Sequence, residues 1–175
     1  ADLLSGLVAT WSAAGIRVRT PDDVAPWKYN KLLSNLGNAV GALTADPANA
    51  GELVPALRDE GEKVLRHAGI DFVSFETSTA ARADGPTIRP IPGWNAGPSN
   101  STWQSLSRNT GNAETDYFNG EIVRIAHRHG TVAPVNAALA RAARAAVANG
   151  IGPGRYSAAQ LAELLGIGEV AHDVR

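Results

Sequence analysis

In the stretch KYNKLLSNLGNAVGAL, residues 28–43, a lysine and two asparagines fall at positions 31, 35 and 38. On an α-helix the spacing i, i+4, i+7 sets Lys31, Asn35 and Asn38 along one stripe, while Leu32, Leu36, Val40 and Leu43 cover a neighbouring face. A cation in line with two amides can hold a small anionic or carbonyl-bearing ligand. The ammonium supplies charge and a proton, and the amides supply directional donors and acceptors. A solvated stripe on a surface helix has the same composition, and residue types alone favour that plainer reading.

A second group lies in STWQSLSRNTGNAETDYFNGEIV, residues 101–123. It carries hydroxyls at Ser101, Thr102, Ser105 and Ser107, then acids at Glu114 and Asp116, then Asn119 and Gly120. Glu114 falls in the first turn of an expected helix, where a carboxylate is favoured by the helix dipole whether or not it has another role. Asp116 and Asn119 are equally open to structural hydrogen bonding. His127 and His129, beside Arg124 and Arg128, are two apart and do not face each other on a helix, so no metal site is expected and a basic helix C-terminus accounts for them. The glycines of GIGPG at 150–154 lack the strand–loop–helix setting of a phosphate loop. The chain contains neither G-x-G-x-x-G nor G-x-x-x-x-G-K-[ST], so it offers a dinucleotide no Rossmann turn.

These residues need helices to place them. Leu3, Leu4, Leu7, Val8 and Trp11 have helical spacing, with Gly15 as the stop. IRVRT, residues 16–20, alternates apolar and basic as a strand does. A lone strand cannot satisfy its own ladder, so residues 1–20 read as the remnant of, or linker from, a neighbouring α/β domain. TPDD at 20–23 is an N-terminal helix signal, with Pro26 moving the start of a long helix toward Trp27 and its end to about Thr44. Further helices are expected over 51–69, 72–83, 101–108, about 113–129 with Gly130 as the stop, and 134–149. Between them, DGPTIRPIPGWNAGPSN at 84–100 is a long loop of the kind that is functional or disordered, and Trp94 argues that it packs. After a GIGPGRY linker, Ser157 and Gln160 have capping-box spacing before a last short helix. The expected fold is all-α, about seven helices with one orphan strand.

Sixteen basic and seventeen acidic residues leave a net charge of −1 among 175 residues. That excludes a whole-chain attraction to nucleic acid or to an anionic membrane. SAAQLAELLGI resembles half of a helix-turn-helix, but its surroundings hold more acid than base. With no Cys there is no disulfide framework, thiolate nucleophile or Cys-based zinc site. No apolar run approaches a membrane span and no signal sequence opens the chain, so a cytoplasmic protein is expected. The absence of Met, with Ala1 first, fits a truncated chain.

W-K-Y-N-K-L-L-x-N-x-x-N-A, S-T-W-Q-S followed by E-T-D-Y-F-N-G-E-I-V, and H-G-x-x-x-P-V-N, in that order, resemble the C-terminal domain of ketopantoate reductases (2-dehydropantoate 2-reductases) over roughly residues 20–149. The resemblance implies an all-helical domain like the 6-phosphogluconate dehydrogenase C-terminal domain, spanning 21–175. It implies a partner Rossmann domain that binds NADPH, with the active site in the cleft between the two. The orphan strand then looks like the edge of that missing domain. By the same resemblance Lys31 matches the catalytic lysine that protonates the ketone oxygen, Asn35 and Asn38 match substrate amides, and Glu114 matches the acid that contacts the cofactor ribose. Thr102, with Ser101 beside it, falls where a serine binds the substrate carboxylate. The implied activity is NADPH-dependent reduction of a 2-oxo acid, ketopantoate to pantoate or a close relative, with the 175-residue chain inactive by itself. Asn38 departs from the family, whose second amide comes four residues after the first rather than three, and Ser105 stands where an Asp is usual. The competing reading is a non-catalytic helical dimerisation or interaction domain. The sequence leaves open the exact oxo acid, NADPH against NADH, and the oligomeric state.

Overall fold

The computed structural model describes residues 2–46, 50–83, 85, 89, 91–92, 100–108 and 114–167. Among them are nine helices: α1 Leu3–Ala13, α2 Ala25–Asn35, α3 Asn38–Leu43, α4 Leu53–His67, α5 Phe75–Ala80, α6 Ser101–Arg108, α7 Thr115–Arg128, α8 Pro134–Ala148 and α9 Ala158–Leu165. The all-α expectation holds. Residues 16–20 are extended but pair with nothing as a strand, so the orphan strand is not formed among the described residues. Most of the loop at 84–100, including Trp94, lies outside the described residues. No helix of the described residues is long and apolar enough to cross a membrane.

The long helix expected from Trp27 to Thr44 is two helices. It starts at Ala25, where the Asp23 carboxylate accepts the Ala25 N–H at 2.8 Å, and Thr20 is not its cap. It breaks at Leu36–Gly37 and restarts at Asn38. The break lies where α4 presses closest. A Cβ on Gly61 would sit 2.8 Å from Leu36 Cδ1 and 2.9 Å from Leu33 Cδ2, so any larger residue there must push the two leucine side chains aside. Leu33, Leu36, Val40 and Leu43 meet Leu57, Leu65, Ile122, Leu139 and Leu161 in one apolar core. The burial of such side chains is the main driving force for the fold.

The helix expected over 72–83 is the shorter α5, Phe75–Ala80, and the segment before it and the expected linker at 150–156 are both hydrogen-bonded to other parts of the fold. Val73 N–H donates to Pro26 O at 3.1 Å, and Asn30 Nδ2 donates to Val73 O at 2.8 Å. The strand-like segment 70–74 is thereby bound to α2. The expected linker at 150–156 pairs with the end of α3: Gly154 N–H donates to Ala42 O, Tyr156 N–H to Leu43 O and Ala45 N–H to Tyr156 O, each at 2.9 Å. The Ser157–Gln160 capping box then starts α9 as expected, and Gly130, in the left-handed region at φ 70°, ends α7. By contrast α1 buries no residue: Leu3 is 82% exposed and Trp11 48%.

Gly61→Val would drive two methyls into the Leu33–Leu36 contact. Overpacking of this kind costs roughly 1–3 kcal/mol, so the midpoint of urea unfolding should fall with the m-value unchanged.

Candidate functional site

The C-terminus of α2 and the N-termini of α3 and α6 meet at the α2–α3 break. Lys31 and Asn35 lie one turn apart on α2, a rise of about 6 Å. Lys31 is exposed and has no hydrogen-bond or ion-pair partner among the described residues. Arg66, Arg124 and Arg144 differ, being paired with Glu62, Glu121 and Asp116. Asn35 is half-buried and its amide is likewise uncommitted. The third member of the stripe, Asn38, is half-buried beyond the break, as the first residue of α3. The i, i+4, i+7 line therefore does not run along one uninterrupted helix, although Leu36 and Gly37 between the two helices keep right-handed helical dihedrals.

Asn100 brings α6 to this place. Its Oδ1 accepts the Trp103 N–H at 2.8 Å, which caps α6, and its Nδ2 donates to Asn38 O at 3.0 Å. One side chain thus ties the N-terminus of α6 to that of α3 and sets Ser101 beside the Asn38 backbone. The two adjacent hydroxyls differ in access. Ser101 is exposed, whereas Thr102 is fully buried at 0% and its Oγ1 has no hydrogen-bond partner. Thr115 Oγ1 is similarly enclosed and unpartnered.

Glu114 precedes α7 at its cap position. The capping role open to it in the sequence is not taken, since its side chain makes no capping hydrogen bond and is exposed. A free carboxylate accepts hydrogen bonds and donates none, a character that fits the paired hydroxyls of a ribose. His127 and His129 are exposed at the far end of α7, with His129 O against His67 Nε2 at 3.0 Å. No group of three or more potential metal ligands occurs among the described residues.

Of the polar residues beneath the site, sequence reasoning marked Asn119 as open to structural hydrogen bonding but missed Glu60 and Asn136. Asn119, in the second turn of α7, is buried and donates from Nδ2 to Leu36 O at 3.1 Å and to Asn136 Oδ1 at 2.8 Å. Asn136 in turn donates from Nδ2 to Leu57 O at 3.1 Å and to Glu60 Oε1 at 2.9 Å. Glu60 also accepts the backbone N–H groups of Val135 at 2.9 Å and Asn136 at 2.8 Å. A carboxylate arriving from α4 therefore caps α8, whose own cap residue is Ala133 with no side-chain acceptor. The signal was present: Asn119 and Asn136 belong to the Y-F-N-G and P-V-N motifs. Nothing local says that the two meet.

No curated protein matches the chain. The family model described as ketopantoate reductase PanE/ApbA C terminal matches residues 23–147, from just before α2 to the end of α8. That stretch includes the α2–α3 break, Ser101, Glu114 and the Glu60–Asn136–Asn119 relay. The chain belongs to the ketopantoate reductase C-terminal domain family.

Proposed function

We propose that this chain is the substrate-binding and catalytic half of an NADPH-dependent 2-oxo acid reductase, acting on ketopantoate or a close relative, with Lys31 as the proton donor. The observation that carries the proposal is an exposed ammonium with no partner among the described residues, one turn before an uncommitted amide, inside a ketopantoate reductase family domain. A lysine kept only for solubility needs no such alignment.

The chain's own residues would divide the work as follows. Asn35 orients the oxo acid by hydrogen bonding. Ser101, exposed at the N-terminus of α6, donates its O–H to the substrate carboxylate, and Asn38, tied to α6 through Asn100, closes that side. Thr102 lies behind Ser101, enclosed in the helix packing. Lys31 places its ammonium at the carbonyl oxygen, steadies the negative charge that develops there, and transfers a proton to make the alcohol. The neutral amine regains a proton from water, which its exposure permits. Glu114 accepts from cofactor hydroxyls. Bound NADPH, held mainly by an N-terminal Rossmann domain, supplies the hydride to the carbonyl carbon. The outward stripe of Leu3, Leu4, Leu7 and Trp11 on α1 suits packing against such a domain, and residues 1–20 would be the connection to it.

The same apolar stripe favours one other reading, a helical assembly domain without chemistry. Mutation separates the two. In the full-length protein Lys31→Ala should lower kcat about a hundredfold or more, the upper range for a positioned general acid, with circular dichroism unchanged. A variant with near-normal kcat would take Lys31 out of the reaction.

Ser101 and Thr102 give opposite signs. Ser101→Ala removes a hydrogen bond to a charged group, worth about 1.5–3 kcal/mol, and should raise the oxo-acid KM roughly tenfold or more while leaving cofactor KM in place. Thr102→Val removes an unpartnered buried hydroxyl and should raise thermal stability. A higher oxo-acid KM in Thr102→Val would return the carboxylate contact to Thr102.

Glu114→Gln should act on cofactor KM or on kcat, because a carboxylate suits ribose hydroxyls and repels a substrate carboxylate. Steady-state kinetics with both substrates varied would reverse this assignment if only the oxo-acid KM moved.

A further inference from the structure

The amide relay under the site ends on one atom, the carbonyl oxygen of Leu36. Leu36 follows Asn35 directly and closes the turn that carries Lys31 and Asn35. Its N–H reaches only Leu33 O, at 3.4 Å, so α2 is tightening into a final loose turn there. The two helix stubs on either side of Leu36–Gly37 could meet at many angles. What meets the carbonyl at the break is Asn119 Nδ2.

The direction of the relay is dictated from its other end. Glu60 and the Leu57 carbonyl, both on α4, only accept hydrogen bonds, so Asn136 must turn its amide nitrogen toward them. That leaves Asn136 Oδ1 facing Asn119, which must present its own nitrogen in reply, and the second N–H of that nitrogen meets Leu36 O. Each of the two Nδ2 groups has two protons and two acceptors. Flipping either amide would set oxygen against oxygen, so the two acceptors on α4 and the Leu36 carbonyl hold both amides in one orientation.

We propose that Asn119 and Asn136, oriented by Glu60, are positioning residues for the Lys31–Asn35–Asn38 stripe. They hold the α2–α3 break at the angle that lets Lys31 and Asn35 on one helix and Asn38 on the next address one small substrate. The inference rests on the reading of Lys31 as proton donor only for its kinetic consequence, since the geometric consequence stands by itself.

Two variants of the full-length protein test it with two readouts. Asn119→Ser removes the donor to Leu36 O. Glu60→Gln keeps the side-chain volume but replaces one carboxylate oxygen with an N–H donor, so at least one of the hydrogen bonds that Glu60 accepts from Val135 N, Asn136 N and Asn136 Nδ2 is lost. Amide hydrogen exchange should quicken over residues 31–40 by roughly tenfold in both, the scale of one hydrogen bond lost, while α9 exchanges as before. With a 2-oxo acid and NADPH, kcat should fall about tenfold to a hundredfold, the effect of a displacement near 1 Å, with the cofactor KM unchanged.

Faster exchange at 31–40 in a protein whose wild type reduces no 2-oxo acid would sink the reductase reading and leave the positioning role intact. Exchange that quickens only in the first turn of α8 for Glu60→Gln, or evenly throughout the domain for both variants, would overturn the positioning role. So would an unchanged kcat in an Asn119→Ser variant that melts at a lower temperature, because a merely structural relay would produce that result.

Discussion

A carboxylate can only accept hydrogen bonds, and Glu60 applies that constraint at the centre of the domain. It reaches from α4 to the start of α8, where Ala133 and Pro134 leave the first turn with no side-chain acceptor of its own. There it takes two backbone N–H groups and one amide N–H. A negative charge at a helix N-terminus is favourable in its own right. The amides of Asn136 and Asn119 carry the constraint onward to Leu36 O. Buried amides lower stability unless satisfied, by about 1–3 kcal/mol for each unpaired group. A fully connected chain of them admits one arrangement of α4, α7, α8 and the α2–α3 break and penalises the rest.

The apolar core supplies affinity between the helices but little direction. Leu33, Leu36, Leu57, Leu65 and Ile122 could interdigitate in several registers with similar burial. Gly61 narrows the choice by allowing α4 to approach Leu33 and Leu36 where any other side chain would collide. Close approach and the polar relay act on the same residue, Leu36, from two sides: its side chain meets Gly61 and its carbonyl meets Asn119. The turn before it is then anchored at its C-terminal end, as the start of α2 is by Val73. That is where Lys31 and Asn35 stand with their own polar groups uncommitted.

The enclosed Thr102 and the free Glu114 show how helix geometry sorts neighbouring polar residues. Adjacent positions on a helix point about 100° apart, so Ser101 can face water while Thr102 faces the core. Position within the first turn decides access, and hydroxyl chemistry alone does not. At α7 the acid at the cap position leaves its helix uncapped and keeps its carboxylate in solvent.

Much of the fold was legible because its rules are local. Helical periodicity, the glycine stop after α7 and the Ser157–Gln160 box each depend on residues within a turn or two, and each appears where the spacing placed it. The pairing of Lys31 with Asn35 is of the same kind, since four residues on a helix is a short-range distance. What failed to show in the sequence was long-range. The break at Leu36–Gly37 interrupts a stretch whose composition reads as one helix, and the residues that meet Leu36 there, Gly61 and Asn119, lie far along the chain. The strand-like IRVRT joins no β-ladder among the described residues, and the GIGPGRY linker pairs with the end of α3. Asn119 and Asn136 stood out as motif letters, but their contact spans 17 residues and two helices, and Glu60 lies 76 residues before Asn136. The sequence by itself determined that the fold is all-α and that a cation and an amide share a face of α2. Only the tertiary structure decided how that face is held, because a hydrogen bond between distant residues has no period along the chain to announce it.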